Sequence, residues 1–177
     1  MTKNKLSISR GLSSPDYESI MGTCGISQGT HYWTVRLDHF ATEEDIYIGV
    51  CRKRKGMSMS THVSELPSFY GWSPTAARLI MPNGGRENNV FEPCYIGQEV
   101  GIQLDFPSKG GRGCLRISAD GNVIGTLIDH GIQPGTYYPV VSLFNNRHQE
   151  VSVTLNSCPK FNPFSKEGAA AGAPRRR

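Results

Sequence analysis

The feature that most constrains this chain is a period of two. In Trp33-Thr34-Val35-Arg36-Leu37 apolar residues alternate with polar ones. Val100, Ile102, Leu104 and Phe106 alternate with Gly101, Gln103 and Asp105, and Val151, Val153 and Leu155 with Ser152 and Thr154. Alternation places one apolar face on a core and one polar face toward water, the pattern of antiparallel strands. No window keeps apolar residues at helical spacing for three turns. Further strands are expected at Leu6–Ser9, Ile46–Arg52, Phe69–Ser73, Arg78–Met81, Cys114–Ala119, Asn122–Ile128 and Tyr137–Leu143. Asp120-Gly121 reads as a tight hairpin and Asn83-Gly84-Gly85 as a second turn. Many short strands punctuated by turns imply an all-β fold, a sandwich of antiparallel sheets.

Charge narrows the function classes. Arg52-Lys53-Arg54-Lys55 and Arg175–Arg177 hold seven of the 19 basic residues, so the body of the domain is mildly acidic against 15 Asp and Glu. A surface built for a phosphate backbone spreads its charge over one face instead. The five cysteines are odd in number and none forms a C-x-x-C pair, which reads as buried free thiols in a reducing compartment. No apolar run is long enough to span a membrane, and Met1-Thr-Lys-Asn-Lys precedes no apolar segment of the secretory kind. A cytoplasmic location is expected, or a nuclear one if Arg52–Lys55 acts as an import signal.

Six segments in register resemble the SPRY domain family: "MGTCGISQGTHYWTVRL" (21–37), "DIYIGVCRK" (45–53), "FYGWSP" (69–74), "CYIGQEVGIQLDF" (94–106), "LRISADGNVIGTLID" (115–129) and "YYPVVSLFNN...EVSV" (137–153). The likeness is strongest to the SPRY domains of SPRY-and-SOCS-box adaptors. It implies a bent, concanavalin-like β-sandwich of short strands over residues 6–158, with an N-terminal extension at 1–5 and a Pro/Gly/Ala-rich basic tail at 159–177. It also implies a protein-interaction module without catalysis, whose edge loops form a shallow pocket for a short segment of a partner. Within that frame Trp33 anchors the core, and Trp72 belongs to core or rim. Gly49 leaves room for a large neighbour such as Trp33. Leu115, Ile117, Val123 and Leu127 pack across the Asp120-Gly121 hairpin.

The resemblance maps the pocket onto Phe144, Asn145, Asn146 and Arg147, onto Ile80, and onto the 11–17 loop with Pro15, Asp16 and Tyr17. Where the SOCS-box relatives carry a hydrophobic-Trp-Gly run, this chain has Phe144, Asn145 and Asn146. Ile80 replaces their tyrosine, and the 11–17 loop lacks their arginine. Their specificity for acidic-Asn peptides is therefore not expected here. The plain alternative is that 144–149 only turns the chain.

Other chemistry finds little support. His31, His39, His62, His130 and His148 are scattered, and the neighbours Asp38-His39 and Asp129-His130 should point to opposite faces of a strand. Asp120-Gly121-Asn122 lacks the remainder of a calcium loop. Neither metal nor cofactor is expected. The leading function is an adaptor or scaffold for another protein. Residues 159–177 are too few for a SOCS box, so the expectation is a stand-alone adaptor or a building block of a multi-subunit assembly. The runner-up is an RNA-associated component using Arg52, Lys53, Arg54 and Lys55 with the tail. No aromatic residues interleave with those basic runs, which weakens a stacking mode of RNA binding. Carbohydrate binding and enzymatic activity rank lower.

Overall fold

The computed structural model describes residues 5–10, 16–41, 46–88, 90–107, 110–145, 150–157 and 162–165. The strands are β1 (Lys5–Arg10), β2 (Asp16–Met21), β3 (Gly29–His39), β4 (Ile46–Cys51), β5 (Tyr70–Ser73), β6 (Arg78–Ile80), β7 (Arg86–Glu87), β8 (Glu99–Phe106), β9 (Gly113–Ala119), β10 (Asn122–Ile132), β11 (Tyr138–Asn145) and β12 (Val151–Asn156). They build two six-stranded sheets, ordered β1-β12-β3-β8-β9-β10 and β2-β11-β4-β5-β6-β7. Every strand pairing is antiparallel. The result is the expected all-β sandwich. Two strands went unread in the sequence, β2 and the two-residue β7.

Apolar residues on the facing sides of the sheets meet in one core. Trp33, Val35 and Leu37 of β3 lie there with Ile46, Ile48 and Val50 of β4 and Val100, Ile102 and Leu104 of β8. Trp72 is also in this core, at 1% exposure, which decides between core and rim. Burying each such large side chain contributes about 1.5–3 kcal/mol against leaving it in water.

β4 shows why strict alternation fails in places. All six residues of Ile-Tyr-Ile-Gly-Val-Cys are buried. Ile46, Ile48 and Val50 face the sandwich core, while Tyr47 and Cys51 belong to a second cluster with Val63, Leu66, Phe69, Ile80 and Val140. That cluster lies on the outer face of the second sheet, roofed by residues 52–69. This strap is fastened by the Ser19 N–H donating to the Met59 carbonyl at 2.7 Å and the Arg52 N–H to that of Pro67 at 2.9 Å.

Several side chains sit elsewhere than the sequence suggested. Gly49 does not make room for Trp33. A β-carbon there would collide with the Tyr70 carbonyl oxygen and lie 2.6 Å from the Gly71 Cα, so it permits close approach of β5. Val123 is 54% exposed, while Leu115, Ile117 and Leu127 are buried. The register of β10 against β9 shifts between Val123 and Gly125 and again further along. Val123 precedes the first shift and stands opposite Ser118, on the face away from Ile117 and the core, while His130 has a left-handed backbone, φ 46°, and its ring lies 3.6 Å from the Asp129 carboxylate on the surface rather than pointing away from it. The hairpin itself is as read, with Asp120 at φ 48° and Gly121 at φ 76°. Among the described cysteines Cys51, Cys94 and Cys114 are buried free thiols, but Cys24 is exposed.

Part of the C-terminal stretch lies on the outer face of the first sheet. Asn162 Nδ2 donates to Gln103 Oε1 at 3.2 Å, and the Phe164 ring meets Tyr32 edge-on at 5.9 Å. Among the described residues no helix is long and apolar enough to cross a membrane.

Candidate functional site

The expected pocket residues fall at one end of the second sheet. β2 and β11 pair so that Tyr17 stands opposite Phe144 and Asp16 opposite Asn145. The Tyr17 and Phe144 rings stack at 4.2 Å with 22° between their planes. His62, from the strap, meets Tyr17 edge-on at 4.8 Å and Tyr47 at 5.3 Å. Tyr47 is buried, whereas Tyr17, His62 and Phe144 are each half-buried. The three form an aromatic shelf with its back on the second cluster and its front in water.

Local chemistry holds the shelf in place. His62 Nδ1 accepts the Ser64 N–H at 3.1 Å and lies 2.7 Å from Ser64 Oγ, capping the short 3-10 turn Val63–Glu65. The imidazole is thus oriented by the strap, and the strap is held to β2 through Ser19. Tyr17 and Met21 share a face of β2 with Ser19, and both pack on the second cluster. Cys51 Sγ lies 4.0 Å from Met21 Sδ. Burial pushes the Cys51 thiol up to about 11, so it is protonated at neutral pH and offers no nucleophile.

Ile80 belongs to the same cluster but lies at its bottom, at 1% exposure. It supports the shelf from below and does not meet solvent. Asn146, Arg147 and Pro15 lie outside the described residues, as does His148; for Asn145 only the backbone is described.

The basic run does not form a single patch. Lys53, Arg54 and Lys55 are exposed, but Arg52 turns inward. Its Nη2 donates to the Pro134 carbonyl at 2.6 Å, and its guanidinium lies over the Tyr137 ring, 5.1 Å from the centroid. Arg52 is a structural cation, and the expectation that all four residues present their charge outward is corrected by one. Among the described residues no group of three or more His, Cys, Asp or Glu is placed to hold a metal. Asp120, read as part of a possible oxygen-ligand loop, instead accepts the Glu99 N–H at 2.9 Å and Gln98 Nε2 at 3.1 Å.

Sequence reasoning missed Tyr47 and His62. The only signal for them was that Tyr47 interrupts an otherwise aliphatic strand and that His62 precedes Val-Ser-Glu. Neither indicates that the eighteen residues 52–69 fold back over their own sheet.

No family model matches the chain. Its fold does match solved structures of SPRY domains. The SPRY domain of human HERC1 is 13% identical, with 86% of this chain and 90% of that one covered at a TM-score of 0.64. A human SPRY domain is 14% identical, with 88% and 93% covered at 0.68. The PSpry domain of TRIM65 is 22% identical, with 80% and 69% covered at 0.51. The protein thus has a SPRY-like fold.

Proposed function

We propose that the protein is a non-enzymatic interaction module that holds a short segment of a partner protein against the Tyr17–Phe144–His62 shelf. The observation that carries this reading is the stacked, half-exposed Tyr17–Phe144 pair at the end of β2 and β11. Paired aromatics with one face in water supply large contact area at small entropic loss, the usual makeup of an interface anchor. The SPRY-like fold favours the same reading, since the family resemblance implies an interaction module. Pro15, Asp16, Asn145, Asn146 and Arg147 flank the shelf in sequence and would supply the polar contacts. Ile80 acts from beneath. Lys53, Arg54 and Lys55 are left to the strap's outer surface.

The test is a quantitative pull-down from a lysate with wild type, Phe144→Ala, and the double variant Asn145→Ala with Arg147→Ala, after circular dichroism confirms folding. A protein partner recovered by wild type and lost from both variants supports the shelf. Recovery of the same partners by all three means that the shelf is only packing and the loop only a turn.

A further inference from the structure

The outer face of the first sheet carries polar residues that alternation directs toward water, yet its centre is closed off. Thr34, Gln103 and Ser118 are all buried. They lie together: Thr34 and Ser118 flank Gly101 from either side, and Gln103 is two residues along from Gly101, paired with Tyr32. The Tyr32 ring lies over Gly101, where a β-carbon would collide with its hydroxyl, and that hydroxyl is 3.4 Å from Ser118 Oγ. Beside Tyr32 sits the chain's own Asn162-Pro163-Phe164-Ser165.

This segment is a self-contained turn. Asn162 Oδ1 accepts the Phe164 N–H at 3.0 Å, and the Asn162 carbonyl accepts the Ser165 N–H at 3.1 Å and the Ser165 hydroxyl at 2.8 Å. Proline fixes the backbone after the asparagine, so the turn gives up little entropy on docking. What remains points to the sheet. Asn162 Nδ2 donates to Gln103 Oε1, Pro163 is buried, and the Phe164 ring meets Tyr32 edge-on. The fit is incomplete, however. Thr34 Oγ1, diagonal to Gln103 across β3 and β8, is buried with no hydrogen-bond partner among the described residues. A buried hydroxyl left unpaired costs stability, so the turn is not the best ligand that this floor can take.

We propose that this face, floored by Tyr32, Thr34 and Gln103, is a recognition site for an Asn-Pro-aromatic turn of another protein, and that residues 162–165 occupy it in cis as an internal competitor. The seated turn states the chemistry of the ligand: an amide for Gln103, a proline, and a ring for the edge of Tyr32. The displacing turn carries the same three groups and one more polar atom, which meets Thr34 Oγ1. The tail reaches the site directly, because Asn156 at the end of β12 is paired with Thr34 itself. The site lies on the other sheet from Tyr17 and Phe144, so its test does not stand or fall with the shelf.

The probe is the labelled peptide Lys-Phe-Asn-Pro-Phe-Ser-Lys, the sequence of residues 160–166, followed by fluorescence anisotropy. It is titrated into the full-length wild type and into the full-length double variant Asn162→Ala with Phe164→Ala, whose own turn is released. A tethered ligand acts at an effective concentration of about 1 mM, so a turn that closes in cis must bind in trans with a Kd below about 1 mM. The released variant should bind the peptide about tenfold or more tighter than wild type, because its site is vacant. Gln103→Met added to that variant should weaken binding about tenfold, as should alanine in place of the peptide's phenylalanine after proline. Circular dichroism confirms folding; should Gln103→Met not fold, a peptide with leucine for asparagine reads the same contact. Equal binding by wild type and the released variant overturns the internal competition. Absence of binding to the released variant up to about 1 mM overturns the site. A wild-type dimer in light scattering that the double variant dissolves overturns seating in cis, since the turn then binds a second copy.

Discussion

Gly49 of β4 and Gly71 of β5 stand directly opposite one another, and the Phe69 ring packs against the bare Cα of Gly71. A β-carbon on Gly71 would fall 2.5 Å from both the Ile48 carbonyl oxygen and Phe69 Cζ. Backbone on one side cannot retreat, and Phe69 is itself locked in the second cluster. Gly71→Ala should therefore destabilise the protein by about 2–3 kcal/mol through overpacking. Urea denaturation gives the measurement, and a midpoint close to wild type would show that Phe69 moves aside freely.

Arg52 predicts a division within the basic run. Arg52→Ala removes a hydrogen bond to the Pro134 carbonyl and a cation over Tyr137, and should lower stability by about 1–2 kcal/mol. Replacing Lys53, Arg54 and Lys55 together by serine should change it by no more than about 0.5 kcal/mol, as for exposed surface positions. Thermal unfolding of the two variants side by side distinguishes them. Equal shifts would return Arg52 to the exposed run.

The buried thiols give the protein an alkaline limit. Burial raises Cys51 from 9.0 to about 11, and Cys94 likewise, with Asp120 adding to the second. Between these values the folded chain keeps protons that the unfolded chain has released. Stability from this source is complete below pH 9 and declines as pH rises toward about 11. Unfolding measured across this range should show a shallower decline in Cys51→Ala with Cys94→Ala than in wild type. Lysine and tyrosine titrations are common to both proteins, so parallel slopes would remove the thiols as the cause.

Asp120 predicts an order of substitutions. Its carboxylate holds the start of β8 through Glu99 and Gln98, and its backbone is left-handed. Asparagine keeps an acceptor and tolerates that backbone, whereas alanine does neither well. Asp120→Asn should lose less stability than Asp120→Ala, the latter by about 1–2 kcal/mol in chemical denaturation. The reverse order would mean that the turn does not depend on the side chain.

Strands with one wet face were legible in the sequence, because alternation reports one core. β3, β8 and β12 were plain for this reason. β2 was not: Asp-Tyr-Glu-Ser-Ile-Met puts Tyr17, Ser19 and Met21 toward the second cluster, while Asp16, Glu18 and Ile20 alternate with them and are exposed, and no single face reads as apolar. The strap was invisible for a related reason. Residues 52–69 mix cations, methionines, serines and a proline without period, and only tertiary contact gathers Met57, Met59, Val63, Leu66 and Phe69 under one roof. Of the candidate site, Tyr17 and Phe144 could be named from the resemblance, but their stacking depends on the pairing of β2 with β11. Arg52 could not be separated from Lys53 because the aromatic partner, Tyr137, lies far along the chain.

The pairing of β1 with β12 imposes an order of events during synthesis. β12 lies between β1 and β3, so strands from the start of the chain are joined by one from near its end. Until residue 156 has left the ribosome, β1 has no neighbour and β3 keeps one side open. The nascent first sheet therefore waits, unfinished, for the last strand to thread between two that were made long before. Pairings between distant positions form slowly, and open edges attract other chains in the interval. A chaperone would find its clearest substrate in that interval.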